Sequence, residues 1–141
     1  MIPNHSPHFA IIGAGTAGLA TAILLARQNI QVSILEKASE LEPVGAGLLL
    51  QPSGLAVFEH LGLLDEVLRL GAKVTGLKGQ LPNGNLLVNS HYQQAHPDFY
   101  GVGIHRATLC HVLENKCRKY PELITWQMNT DIQKLEETSN Q

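Results

Sequence analysis

Phe9-Ala10-Ile11-Ile12-Gly13-Ala14-Gly15-Thr16-Ala17-Gly18-Leu19 is the stretch on which the reading of this chain turns. An apolar run enters Gly-x-Gly-x-x-Gly and leaves it as an alanine- and leucine-rich segment, the order of a strand, a tight turn and a helix. Each glycine has its own task. Gly13 lets the chain turn sharply out of the strand, Gly15 lets backbone approach a pyrophosphate, and Gly18 lets helix and strand pack closely. The helix then begins with free N–H groups and its positive dipole end aimed at the phosphates.

The next strand candidate, Val32-Ser33-Ile34-Leu35, ends at Glu36, eighteen residues past Gly18. That is near the spacing of roughly 20 at which an acidic residue meets the adenosine ribose hydroxyls. Taken singly, the glycines are a common loop pattern and Glu36 is a solvated strand-end charge. Strand, glycine turn, helix, strand and carboxylate in this order indicate a dinucleotide site.

Beyond this unit the chain reads as follows. The first strand is Phe9–Ile12, and the helix runs from about Ala17 to Gln28 with Leu19, Ile23 and Ala26 inward; Asn29 closes it, since asparagine tolerates left-handed backbone. The segment Leu41 to Gly54 reads as a glycine- and proline-bounded apolar loop. Pro52-Ser53 starts a helix, with Ser53 in the ordinary role of a cap, Leu55, Phe58 and Leu61 on one face, and Gly62 as the stop. A short helix, Leu63–Leu70, ends at Gly71. Asn83-Gly84 between Leu77–Leu81 and Leu86–Val88 predicts a hairpin, with Pro82 marking an edge position. His91–Asp98 reads as a loop, Tyr100–Ile104 as a strand, Arg106 to about Tyr120 as a helix, and Leu123–Trp126 and Ile132–Leu135 as strands. Met1–Pro7 and the tail from Glu136 carry no pattern.

At 141 residues, 44% hydrophobic and 16% charged, the composition is that of one globular domain. The formal net charge of −2 and the lack of a basic block argue against nucleic acid or anionic membrane as a partner. Lys116, Arg118 and Lys119 answer the dipole at a helix end. The uncharged run Phe9–Ala26 imitates a signal or membrane segment, but it lacks a basic lead and its glycines are explained by the turn. No membrane span is expected. Two cysteines make no disulfide scaffold, so a cytoplasmic location is expected. Cys110 and Cys117, seven residues apart on one helix, lie about 10 Å apart, too far to bridge or share a metal; both read as buried free thiols. The histidine pairs His105/His111 and His91/His96 lack metal-ligand spacing, and no metal site is expected. No nucleophile constellation is present, and no residue can be named as a catalytic acid or base.

Four pieces together, Gly13 to Leu19, Leu35-Glu36-Lys37, Pro43-Val44-Gly45-Ala46-Gly47-Leu48 and Ile104-His105-Arg106-Ala107-Thr108-Leu109, resemble the N-terminal part of the class A flavoprotein monooxygenases, the group of salicylate and para-hydroxybenzoate hydroxylases. The resemblance covers nearly the whole chain. It implies an α/β, Rossmann-like FAD-binding fold, a βαβ unit with a parallel sheet, plus a short antiparallel hairpin. It implies a single partial FAD-binding domain over 1–141: a βαβ unit with following helices at 1–73, a hairpin and strand excursion at 74–104, and a helix with return strands at 105–141.

The cofactor implied is FAD, held by Gly13, Gly15, Thr16, Ala17, Gly18, Glu36 and Lys37, with Arg106 near the ribityl and pyrophosphate portion. A guanidinium there can give forked, charge-assisted bonds to phosphate oxygens. The backbone of Leu49 and Ile132 matches positions lying against the cofactor. In the complete enzyme NAD(P)H would be co-substrate and a small aromatic compound the substrate. The family's later Asp-Gly and Gly-Asp motifs are absent, so the expectation is the opening segment of a longer enzyme or a truncated gene. A non-catalytic nucleotide-binding remnant is the alternative, and an NAD-dependent dehydrogenase domain a third reading. With the partner of strand one absent, Ala10-Ile11-Ile12 is expected to present an unpaired edge that invites self-association.

Overall fold

The structure, a computed structural model, describes residues 7–41 and 45–136. The chain forms two compact units, one of Met1–Glu42 and Leu113–Gln141, the other of Pro43–Val112.

The first unit is built on a parallel sheet of β1 (His8–Ile12), β2 (Gln31–Leu35) and β8 (Ile124–Gln127), in the order β1-β2-β8. Strand β1 runs beside β2 with Phe9 opposite Val32 and Ile12 opposite Leu35. Helix α1 (Thr16–Ala26) makes the crossover and buries Leu19, Ala22, Ile23 and Ala26. This spacing puts one face of the helix inward, and it meets the buried Val32 and Ile34 of the central strand. Asn29, at φ 61°, turns the chain out of α1.

Strand β2 is buried at three successive residues, and the middle one is Ser33. Its hydroxyl is satisfied across the sheet, by His8 Nε2 at 2.8 Å on one side and Thr125 Oγ1 at 2.9 Å on the other. A buried hydroxyl without such partners would cost about 1–3 kcal/mol. Three strands thus share one polar row.

The second unit holds an antiparallel sheet in the order β3-β7-β4 and a separate hairpin. Its elements are β3 (Gly47–Leu50), α2 (Pro52–His60), α3 (Leu64–Leu70), β4 (Ala72–Val74), β5 (Gly76–Gln80), β6 (Leu86–His91) and β7 (Gly101–His105). Leu55, Phe58, Leu61, Leu63, Val67, Val102 and Ile104 are its core. The hairpin turns at Asn83-Gly84, where Gly84 has φ 85° and Asn83 Oδ1 accepts the N–H of Asn85. Helix α4 (Arg106–Cys117) starts in this unit and ends in the first.

Several expectations need correction. The segment around Gly47 is not loop throughout: Gly47–Leu50 is a strand paired with β7, because a short apolar run bounded by Gly and Pro finds a partner edge that no local signal announces. Ala72–Val74 is a further strand, on the other side of β7. Ile132–Leu135 is not a strand; residues 128–136 are irregular, tied down by Asn129 N–H to the Ala38 carbonyl and Thr130 N–H to the Glu36 carbonyl. Ser53 does not cap α2: the N-cap position belongs to Gln51, whose side chain makes no capping bond, and Pro52 lies in the first helical turn. The loop after β6 includes a 3-10 turn, Tyr92–Gln94. Cys117 is buried but Cys110 only half-buried. Pro43 and Val44, most of the lead-in and residues 137–141 lie outside the described residues.

Cys117 Sγ lies 3.5 Å from the Leu19 carbonyl oxygen, and burial pushes its thiol up to about 12. A thiol so held is a packing group and not a nucleophile. Arg118 forks onto Glu114 Oε1 at 2.9 and 2.6 Å and lies over the Trp126 ring at 5.2 Å, so this cation serves the helix end and its packing. Among the described residues no group of three His, Cys, Asp or Glu stands where a metal could be held, and no helix is long and apolar enough to cross a membrane.

Candidate cofactor-binding site

In the first unit the turn after β1 is pinned at both ends. Gly13, at φ 96°, donates its N–H to the Leu35 carbonyl at 2.7 Å. The next N–H, of Ala14, donates to Glu36 Oε2 at 2.7 Å, and Ala38 donates to Oε1 at 3.0 Å. Glu36 is itself fixed through its backbone, its N–H bonded to the Gln127 carbonyl at 2.9 Å. The two N–H donors, Ala14 first and Ala38 second, hold the carboxyl below its ordinary range against an opposing effect of burial, and the neighbouring Lys37 charge adds to the lowering. Glu36 is therefore an anion. Its oxygens have about four acceptor sites, of which these bonds use two. The two vicinal hydroxyls of an adenosine ribose are donors that suit the remainder.

Gly13 and Gly18 stand as their spacing indicates, one turning the chain and the other letting helix meet strand. A Cβ on Gly18 would run into the Gly13 carbonyl and come within 3.2 Å of Ile11 Cγ2, so helix and strand touch there. A Cβ on Gly15 would meet nothing within 4 Å. Gly15 has φ −73°, which any residue adopts, so what glycine leaves at this position is open space before the helix. No side chain caps α1. The first-turn N–H groups of Thr16, Ala17 and Gly18 therefore have no side-chain cap and are donors of the kind a pyrophosphate accepts from. On this observation the residues present fit a dinucleotide.

In the second unit, Arg106 begins α4 directly after β7, with its backbone N–H 3.4 Å from the Ala46 carbonyl. Its side chain is exposed, and it takes no part in the ion pairs His96–Asp98, Arg118–Glu114 and Lys134–Glu136. Gly45, at φ 130°, lies against its aliphatic stem. Leu49 pairs with Gly103 across β3 and β7 and is half-buried; its Cδ1 fills the space that a Cβ on Gly101 would need. A cavity of about 520 Å³ opens beside this sheet, lined by Gly47, Leu48, Gly71, Gly103, His105 and Thr108 among others. Leu49 is not in its wall. Ile132 sits half-buried in the irregular segment of the first unit.

Glu36 and the glycine turn are thus brought together as the sequence indicates. Sequence reasoning missed the N–H of Ala38, the strand β3, the seat of Arg106 on Gly45, and the cavity. All of these depend on tertiary approach, and the apolar run Leu48-Leu49-Leu50 does not by itself distinguish strand from loop.

A family model described as FAD binding domain matches residues 8–141. The chain is 32% identical over 135 residues to 3-hydroxybenzoate 6-hydroxylase of Klebsiella oxytoca, covering 92% of this chain and 34% of that protein. It is 33% identical over 104 residues to 3-amino-4-hydroxybenzoate 2-monooxygenase of Streptomyces cremeus, covering 71% of this chain and 26% of that protein. The crystal structure of Pseudomonas aeruginosa PqsL in complex with 2-aminobenzoylacetate superposes with a TM-score of 0.84 at 26% identity, over 94% of this chain and 36% of that one. The chain spans about a third or less of the length of these relatives. With the family model matched over residues 8–141 and aromatic-acid monooxygenases among its relatives, this chain belongs to the FAD binding domain family, the family of the FAD-dependent aromatic monooxygenases.

Proposed function

We propose that this chain is the FAD-holding part of an NAD(P)H-using monooxygenase that hydroxylates a small aromatic compound. The observation that carries the reading is the hydrogen-bonded pair of glycine turn and Glu36, with open space left by Gly15. Bound FAD would supply the redox chemistry: reduced by NAD(P)H, it lets one atom of dioxygen enter the aromatic ring while the other leaves as water.

The chain's own residues bind and orient. Glu36 accepts the ribose hydroxyls, and the N–H groups of Thr16, Ala17 and Gly18 receive the pyrophosphate at the positive end of α1. Lys37 adds a cation beside the acid. In the second unit Arg106 presents an exposed guanidinium for an anionic or polar part of the cofactor, and the backbone at Leu49 offers a wall. Ile132 contributes backbone from the segment after β8. The relatives' names support an aromatic substrate, since 3-hydroxybenzoate and 3-amino-4-hydroxybenzoate are aromatic acids. We place the protein in the cytoplasm, a reading supported by two cysteines that form no disulfide.

The test is a titration of the purified chain with FAD, followed by visible absorbance and flavin fluorescence. Saturable binding, weakened at least tenfold by Glu36→Ala, is the expected result. A folded chain that retains no flavin would overturn the assignment.

A further inference from the structure

We propose that Gly45 is a positioning residue for Arg106: the bare Cα of Gly45 seats the stem of the arginine and thereby sets where its guanidinium stands. This rests on the reading that Arg106 faces an anionic part of the cofactor. A Cβ built on Gly45 would lie 3.2 Å from Arg106 Cδ, 3.6 Å from Cβ and 3.9 Å from Cγ. Three successive carbons of one side chain thus track a single glycine. The backbone adds a second tie, Arg106 N–H to the Ala46 carbonyl at 3.4 Å, and the strand pair a third, with Gly47 opposite His105. Loop and arginine therefore form one unit, in which the long, rotamer-rich arginine is held on the side facing Gly45.

The physical reason is entropy. An exposed arginine has a large store of rotamer freedom, part of which it must give up when it binds an anion. A stem already laid along a glycine has surrendered part of that freedom before the ligand arrives. An added methyl at Gly45 presses on Cδ, the carbon next to the guanidinium, and swings the charge away.

Two kinds of measurement test this on the 141-residue chain. The first is FAD affinity at low and high salt for the native chain, Gly45→Ala, Arg106→Ala and the double variant. We expect Arg106→Ala to weaken binding about tenfold and to flatten its salt dependence, because a charge-to-phosphate contact is screened. Gly45→Ala is expected to weaken binding several-fold and flatten the salt dependence likewise, yet to add less than about twofold when Arg106 is already alanine. Equal losses from Gly45→Ala in both backgrounds, or an unchanged salt dependence, overturn the proposal while leaving the role of Arg106 standing. An Arg106→Ala variant with native affinity and salt dependence removes that role, and the proposal with it.

The second measurement needs no variant, since φ 130° at Gly45 strains any L-residue and Gly45→Ala can disturb the loop. Nuclear Overhauser contacts between the Gly45 α-protons and the Arg106 δ-protons are expected in the unliganded chain and after FAD addition. Their absence overturns the proposal.

Discussion

The backbone N–H of Ala14 and the carboxylate of Glu36, twenty-two residues apart in sequence, meet at 2.7 Å. The glycine turn and the acid that follows β2 are thereby one hydrogen-bonded body. Ala14 is only 4% exposed, so its N–H has little access to water. Glu36→Ala would leave that donor unpaired, which costs roughly 1–3 kcal/mol in a closed site and nearer the lower figure here, where the carboxylate is half-exposed. Glu36→Gln keeps one oxygen acceptor and loses the charge, so its loss of stability should be smaller, while FAD affinity falls with both. Urea unfolding and FAD titration of the two variants separate these effects; equal stability of Glu36→Ala and the native chain would refute the coupling.

The same pair sets a pH dependence. Glu36 is held below its ordinary value of 4.5 by the N–H groups of Ala14 and Ala38. A carboxyl with a lowered folded value contributes stability above the unfolded value and loses it as pH falls through the folded one. The native chain should therefore exceed Glu36→Gln in stability near neutral pH, and the gap should close progressively below about pH 4.5. Urea midpoints of both proteins from neutral to acid pH check this. A gap that is constant across the range would show that charge plays no part.

Gly15 and Gly18 should respond in opposite ways to added atoms. Gly18→Ala would bring a Cβ against the Gly13 carbonyl. Alanine ordinarily gains up to about 1 kcal/mol over glycine inside a helix, but overpacking of backbone on backbone costs about 1–3 kcal/mol or more and wins here. At Gly15 the added atoms enter open space, and serine is a preferred cap for a helix that has none. Gly15→Ser is expected to leave Tm unchanged or raise it slightly while lowering FAD affinity more than tenfold. Thermal melts with and without FAD distinguish the outcomes; undiminished FAD affinity in Gly15→Ser would mean the gap beside α1 is not where the cofactor lies.

What could be read before folding follows from how local each cause is. The turn at Gly13, the helix after it and the asparagine at position 29 are specified within a few residues, and the structure places all three as read. Glu36 stands directly after the second strand because the βαβ crossover has a nearly fixed length. Strand β3 was not readable, because four residues from Gly47 to Leu50 become a strand only when β7, some fifty residues later, lies beside them. The seat of Arg106 on Gly45 is hidden for the same reason: both residues are ordinary in sequence and meet only after β3 and β7 pair. Ile132 shows the converse failure: the apolar Ile132 and Leu135 suggest a strand, but with a single β-branched residue the segment 132–135 stays irregular.

The last prediction concerns the edge of the parallel sheet. Strand β1 pairs with β2 and, among the described residues, has no strand on its other side. Phe9 is 45% exposed and Ile12 57%, so an apolar strand carries a row of free backbone groups at its open edge. Such an edge is a template for a further strand. A purified sample of this chain should self-associate as concentration rises, and Phe9→Lys should suppress it, because a cation on an edge strand opposes pairing with a like copy. Light scattering over a concentration series gives the answer. The variant must keep its FAD affinity, which separates an edge effect from a broken fold, and a native chain that stays monomeric at high concentration would contradict the prediction.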